Sequence, residues 1–221
     1  MRFTAEELAT ACLDTVRANG FSYCYIRPTV LRGVGAFGVD PTDSEVNAYV
    51  ITWQWGEAYL GPGALEKGVP VCVSSWNRFA PNTMPAMAKS SGNYLNSQLI
   101  KLEARRHGYV EGIALDPSGF VSEGSAENVF IVRKGVLVTP PLMNSVLPGI
   151  TRDAILLLAS DLGIPCEVRT IPREELYICD ELMLVGTATE IVPVTSVDGR
   201  PIGDGLRGDL TAKLQNEFVG I

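Results

Sequence analysis

Histidine is nearly missing from this 221-residue chain: His107 is the only one. That excludes Ser-His-Asp chemistry unless His107 is itself the base, and it argues against a zinc centre. The five cysteines, Cys12, Cys24, Cys72, Cys166 and Cys179, are odd in number and widely spaced, and no CxxC occurs. They read as buried, reduced thiols of a cytoplasmic protein rather than as a disulfide framework. Long apolar runs are absent, so no segment is expected to cross a bilayer, and the N-terminus shows no charged-then-apolar signal pattern. Positive charge is in deficit: 18 Lys and Arg face 25 Asp and Glu, a net charge of −7. With no basic patch interleaved with aromatics, this balance speaks against nucleic-acid binding. Internal repeats and low-complexity tracts are also missing.

What is present is an ordinary globular composition, 46% apolar and 19% charged. It suffices for one large domain or two small ones. Thr4 and Glu7 stand at capping-box spacing, which predicts a helix from about Ala5 to Ala18 that stops at Asn19-Gly20. Residues 21–31 and 46–55 read as strands rich in aromatic and β-branched side chains. The glycines between them make no dinucleotide fingerprint, because the GxGxxG spacing and the following helix are lacking. Gly61-Pro62-Gly63 is the candidate linker. Beyond it come a strand near 69–75 and a helix over about 93–107, with Leu95, Leu99 and Leu102 as its inward stripe. His107, just before Gly108, suits a helix end. A β-turn at 116–119, a hairpin turning near Lys134-Gly135 and an amphipathic helix over 151–163 follow. More strands, the turn Asp198-Gly199 and a last helix from about Asp209 complete the chain. The fold class is α+β: antiparallel hairpins with a few helices packed on them.

Three stretches can carry chemistry. Lys89 has no charged neighbour in sequence between Arg78 and Lys101. It is either a solvated or snorkelling lysine, or an amine that loses hydration and becomes a nucleophile. In LPGITRDA, 147–154, a helix opening at Thr151 offers free N–H groups to a phosphate, or Thr151 simply caps that helix. In VSEGSAEN, 121–128, Glu123 and Glu127 are either exposed turn carboxylates or a fixed partner for a protonated ring nitrogen. GTATE, 186–190, ends an apolar run with small residues that leave backbone open to a ligand, or makes a plain turn.

Longer motifs carry a resemblance. SSWNRFAPNTMPAMAKSSGNYLNS, EARRHGYVEGIALDPSGFVSEGSAENVFIV, LPGITRDAI, REELYICDELMLVGTATEIVPV and VDGRPIG together resemble the fold-type IV pyridoxal-phosphate aminotransferases, from about Phe3 to Phe218. Within that group the branched-chain amino acid aminotransferases are most similar. The resemblance implies pyridoxal 5'-phosphate as cofactor and Lys89 as its Schiff-base lysine and proton shuttle. It implies Tyr94 at the phenolic oxygen, Glu123 at the pyridine nitrogen, and Ile150, Thr151 and Thr187 at the phosphate. The Thr187-Ala188 backbone would take the substrate carboxylate. Tyr25 and Arg27 match the Tyr-x-Arg of branched-chain enzymes, whose arginine receives the glutamate side chain. Trp55 and Tyr59 match pocket aromatics, although the family more often has one residue fewer between them.

The implied reaction moves an amino group between Leu, Ile or Val and 2-oxoglutarate, in a cytoplasmic homodimer or larger assembly, without metal, nucleic acid or membrane. The implied domains are a part of the small domain at 1–62 and the large cofactor domain at 63–221. Relatives carry several tens of residues ahead of the point matching Met1, including a phosphate-binding arginine, so the start reads as truncated. The alternatives are an inactive remnant that binds cofactor weakly or only dimerises, and an aminodeoxychorismate lyase or D-amino acid transaminase on the same scaffold.

Overall fold

In the computed structural model, which describes residues 2–35, 37–54 and 59–218, the first helix begins where the capping box predicts. Thr4 accepts from the Glu7 N–H at 3.1 Å, and Glu7 accepts from the Thr4 N–H at 2.8 Å. This helix, α1 (Ala5–Asn19), ends at Gly20 in the left-handed conformation, as a glycine C-cap allows. Strands β1 (Tyr25–Arg32) and β2 (Val46–Trp53) then pair antiparallel, from Tyr25 against Trp53 to Arg32 against Val46. These elements make a first compact unit, Met1–Gly56. None of its described residues is fully buried.

The second unit, Glu57–Ile221, begins ahead of the glycine-proline linker and takes Leu60 into its core. It comprises α2 (Ala64–Lys67), β3 (Val69–Val73), α3 (Tyr94–Arg106), β4 (Glu111–Leu115), β5 (Val121–Gly124), β6 (Asn128–Arg133) and β7 (Val136–Thr139). Then follow α4 (Ile150–Asp161), β8 (Cys166–Val168), β9 (Glu181–Gly186), β10 (Glu190–Val197), β11 (Arg200–Pro201) and α5 (Asp209–Phe218). The strands form one sheet in the order β5-β4-β3-β10-β9-β6-β7-β8, with β11 beside β10. The hairpin expected at Lys134-Gly135 is there, β6 with β7, and β4 with β5 and β9 with β10 also pair antiparallel. The sheet is nevertheless mixed, because β3 lies parallel to both β4 and β10, and β7 parallel to β8. Helices α3 and α4 carry the chain back between β3 and β4 and between β7 and β8, as parallel neighbours require. Gly68, at φ +71°, lets β3 start against β10: a Cβ there would sit 2.9 Å from the Pro193 carbonyl oxygen.

Period-two alternation sorts β6 and β9 onto two faces. Val129, Ile131, Leu182 and Leu184 join one core, and Phe130, Val132, Met183 and Val185 the other. Helices α4 and α5 cover the second with Ile155, Leu158, Ala159 and Leu214. The first core unites Val121 of β5 with Val138 of β7, so the sheet curls around it like part of a barrel.

Two expectations are corrected. Helix α3 turns Ser97, Ile100 and Ala104 inward, while Leu95 and Leu102 are exposed. Ile100 packs so closely on β4 that a Cβ on Gly112 would sit 2.8 Å from it, and Ser97 borders the polar cleft. All five cysteines are free, but only Cys72 and Cys179 are buried, and Cys166 is exposed. The end of α3 is as expected, with the His107 N–H donating to carbonyls of the last turn. Among the described residues no helix is long and apolar enough to cross a membrane.

Candidate active site

Lys89 stands on the loop between β3 and α3. Asn93 fixes this loop from beneath, its side-chain amide donating to the carbonyls of Pro85 at 3.1 Å and Ala88 at 3.0 Å. In this chain Lys89 is exposed, so the expected loss of hydration is not what sets it apart. Nor is its surrounding in space poor in charge. Lys89 lines an open cleft together with Arg78, Tyr94, Glu123, Glu127 and Asn128. Its Nζ lies 5.9 Å from the centroid of the Tyr94 ring.

Glu123 and Glu127 are not exposed turn carboxylates: they are 5% and 2% exposed. Strand β5 sets Glu123 against Arg78, whose Nη2 lies 2.7 Å from Oε1. Oε2 accepts from the Leu147 N–H at 2.9 Å and from the Asn128 amide at 3.3 Å. Burial pushes the Glu123 carboxyl above its ordinary range, opposed first by the Arg78 charge and then by the Leu147 N–H. Glu127 has less support. Its Oε2 accepts from the Ala126 N–H at 3.0 Å, and its buried Oε1 has no hydrogen-bond partner. Burial, and then the neighbouring charge of Glu111, push it up to about 8. Glu111 is itself buried and paired with Lys101 at 2.6 Å.

Asn128 joins this wall to the start of α4. Its amide also donates to the Leu147 carbonyl at 3.0 Å, and its Oδ1 packs against Gly149 so closely that a Cβ there would collide with it. Helix α4 opens at Ile150, one residue earlier than predicted, with Gly149 as N-cap and no side-chain capping bond. Thr151 therefore does not cap the helix; it is buried in the first turn, and Ile150 is exposed. Thr187 and Ala188 form the turn after β9, where Val185 pairs with Asn128 and a Cβ on Gly186 would lie 3.7 Å from the Ala126 carbonyl oxygen. Thus Lys89, Tyr94 and Glu123 share the cleft, and Asn128 links that cleft to both the 150–151 helix start and the β9 turn.

Tyr25 and Arg27 lie in the first unit, two residues apart on β1. The Tyr25 ring meets Trp53 across the hairpin at 4.8 Å, and the Arg27 guanidinium lies 5.8 and 5.9 Å from these two rings. Trp55 falls outside the described residues. Tyr59 belongs to the second unit, with Lys101 Nζ 5.6 Å from its ring. Trp53, Arg78 and Asn128 are the site residues that the sequence reading passed over.

A curled α+β sheet with a lysine, a tyrosine and a buried carboxylate around one cleft defines a known class. The chain matches the family model for amino-transferase class IV over residues 1–197 and belongs to that family. It is 51% identical over 217 residues to a branched-chain-amino-acid aminotransferase of Escherichia coli (strain K12), covering 98% of this chain and 70% of the relative. The crystal structure of the Escherichia coli branched-chain amino acid aminotransferase superposes with a TM-score of 0.98 at 50% identity, over all of this chain and 73% of that one. A branched-chain amino acid aminotransferase from T.th., solved in complex with N-(5'-phosphopyridoxyl)-L-glutamate, superposes with a TM-score of 0.91 at 41% identity, over 99% of this chain and 71% of that one.

Class IV aminotransferases depend on pyridoxal phosphate, and the residues here fit that group. Glu123 supplies a buried carboxylate, Lys89 an amine on the same cleft, and α4 an uncapped N-terminus whose dipole suits a phosphate.

Glu127 yields a pH test. Its carboxyl holds a proton up to about 8 in the folded chain, against 4.5 ordinarily. The folded state therefore binds more protons than the unfolded chain, and stability falls as pH rises across that window. Glu127→Gln removes this slope. The wild-type melting temperature, relative to the variant, is expected to fall over that window and to level off above it. A difference that stays flat with pH refutes the assignment.

Proposed function

We propose that this chain is a pyridoxal-phosphate-dependent transaminase that moves amino groups between branched-chain L-amino acids (Leu, Ile, Val) and 2-oxoglutarate in the cytoplasm. The observation that carries the reading is the meeting of Lys89, Tyr94 and Glu123 on one cleft. When bound, the cofactor supplies an electron-withdrawing ring that acidifies the Cα–H of the substrate. Glu123 holds the ring nitrogen, and Tyr94 directs its hydroxyl to the phenolic oxygen. The N–H groups of Ile150 and Thr151, with Thr187, hold the phosphate. Lys89 would hold the cofactor through Nζ, and its amine, when free, would serve as the general base that moves the substrate proton between Cα and C4′.

The Thr187-Ala188 backbone receives the α-carboxylate of the substrate. Arg27, braced by Tyr25 and Trp53, receives the side-chain carboxylate of glutamate, while Trp55 and Tyr59 enclose the branched side chain. In this reading residues 63–221 are the cofactor domain and residues 1–62 belong to the small domain. The assembly is a homodimer or larger. Large apolar side chains exposed on the second unit support this, among them Ile150, Met143 and Leu95 at 85%, 79% and 66% exposed.

Three measurements test these assignments. Incubation with pyridoxal phosphate followed by borohydride should leave a pyridoxyl group on the peptide that contains Lys89. Lys89→Ala should lose both that adduct and transamination, by about a thousandfold or more. An adduct and activity that survive the substitution would end this role for Lys89. Arg27→Ala should lower kcat/KM for glutamate about tenfold more than for leucine, the scale of one charge-assisted pair; equal losses refute its role. Sedimentation should return at least twice the monomer mass, and a lone monomer overturns the assembly.

A further inference from the structure

Arg78 is clamped against Glu123, one of two buried carboxylates of the cleft. Its side chain is 5% exposed, Nη2 reaches Glu123 Oε1 at 2.7 Å, and Nη1 donates to Asn96 Oδ1 on α3 at 2.8 Å. Its guanidinium lies 4.5 Å from the Phe79 ring centroid. The backbone is held as well: the Arg78 N–H donates to the Leu115 carbonyl at 2.8 Å. The other end of Asn96 donates to the Asn77 carbonyl at 2.9 Å, so strand and helix both fix the fork.

The geometry points to Arg78 as a positioning residue that keeps Glu123 ionised and pins its Oε1, so that the carboxylate meets a ring nitrogen as an anion. The purpose of that charge rests on the reading above; the charge itself does not. A carboxylate this deep becomes neutral unless a cation and hydrogen-bond donors hold its ionised form. The charged and titratable groups facing Glu123 are Arg78 from the segment after β3, Lys89 from its loop and Glu127 from the turn after β5. Of these Lys89 is exposed and screened by water. Glu127 opposes ionisation, since like charges repel. Leu147 and Asn128 offer neutral donors to Oε2 only. Arg78 is therefore the sole full charge bonded to Glu123 among the described residues. A neutral Glu123 could not hold a protonated ring nitrogen, and the ring would lose its electron-withdrawing strength.

Infrared difference spectroscopy on the cofactor-free protein reads the charge directly. At neutral pH, wild type minus Glu123→Gln should show a lost carboxylate band. Loss of a neutral-acid band instead overturns the inference, and this comparison does not disturb Arg78. Arg78→Met should add a neutral-acid band that vanishes in Arg78→Met/Glu123→Gln, while Arg78→Lys, which keeps the charge, should add none. A folded Arg78→Met without that band also overturns it. If Arg78→Met does not fold, the Glu123→Gln difference and Arg78→Lys still decide.

Absorbance titration with pyridoxal phosphate gives the second readout. Arg78→Met should weaken binding about tenfold or more, as loss of one partner of a buried pair does. The double variant should bind no worse than Glu123→Gln alone. Fully additive losses would mean that Arg78 acts on the fold rather than through Glu123. Wild type that takes up no pyridoxal phosphate would sink the proposed function and leave the infrared result standing.

Discussion

A carboxylate that reaches the interior of a cleft wall must find both a counter-charge and donors for its oxygens, or it becomes neutral. The arrangement around Glu123 follows from that demand. Arg78 supplies the charge at 2.7 Å, and the Leu147 N–H and the Asn128 amide supply donors. Each belongs to a different piece of the fold: the segment after β3, the approach to α4, and the first residue of β6. The carboxylate can be ionised only where these three pieces meet, so the same contacts that hold its charge also hold the cleft together.

Asn128 shows how the two ends of the site are kept in register. Its amide nitrogen serves Glu123 and the Leu147 carbonyl, and its oxygen closes against Gly149. A shift of α4 relative to β6 would therefore disturb both the carboxylate and the helix N-terminus. The sheet gives this strut a rigid base. Asn128 pairs with Val185 across β6 and β9, and the residues that follow it in β6 and precede Val185 in β9 alternate between two buried cores. Thr187 and Ala188 continue directly from that pairing. Carboxylate, helix start and turn thus move as one body with the central strands, which is the stiffness a site for a flat ring and a phosphate needs.

Local rules made much of this legible in the sequence. Thr4 and Glu7 announced α1 because a capping box is complete within four residues, and His107-Gly108 marked the end of α3 for the same kind of reason. Lys89, Tyr94 and Glu123 were visible through long ordered motifs. What stayed hidden depends on distance along the chain. Arg78 gains its meaning from Glu123 and Asn96, and nothing near it in sequence points there. The parallel neighbours of β3 were missed because a hairpin reading joins only consecutive strands. The stripe Leu95, Leu99 and Leu102 misled because α3 carries a second apolar row, Ile100 and Ala104, and periodicity alone does not say which row the fold buries. The inward face of α3 borders a polar cleft, and it uses Ser97, Ile100 and Ala104 instead. The charge-poor surroundings of Lys89 were a property of the sequence alone, since folding brings Arg78, Glu123 and Glu127 to its cleft.

The contrast between Glu123 and Glu127 is the last step. The two stand four residues apart, flanking a tight turn, and both are buried. They differ in company. Glu123 has a guanidinium and two donors; Glu127 has one backbone N–H, an unpartnered oxygen, and Glu111 as the like charge that acts on it most strongly. Burial pushes both carboxyls up; Arg78 and the Leu147 N–H oppose that push at Glu123, whereas the charge of Glu111 adds to it at Glu127. Were both ionised, Glu123 and Glu127 would repel across the turn and weaken the hold of Arg78 on the cleft wall. A neutral Glu127 leaves Glu123 to face Arg78 without a second negative charge on the cleft wall, which the role proposed for Glu123 requires.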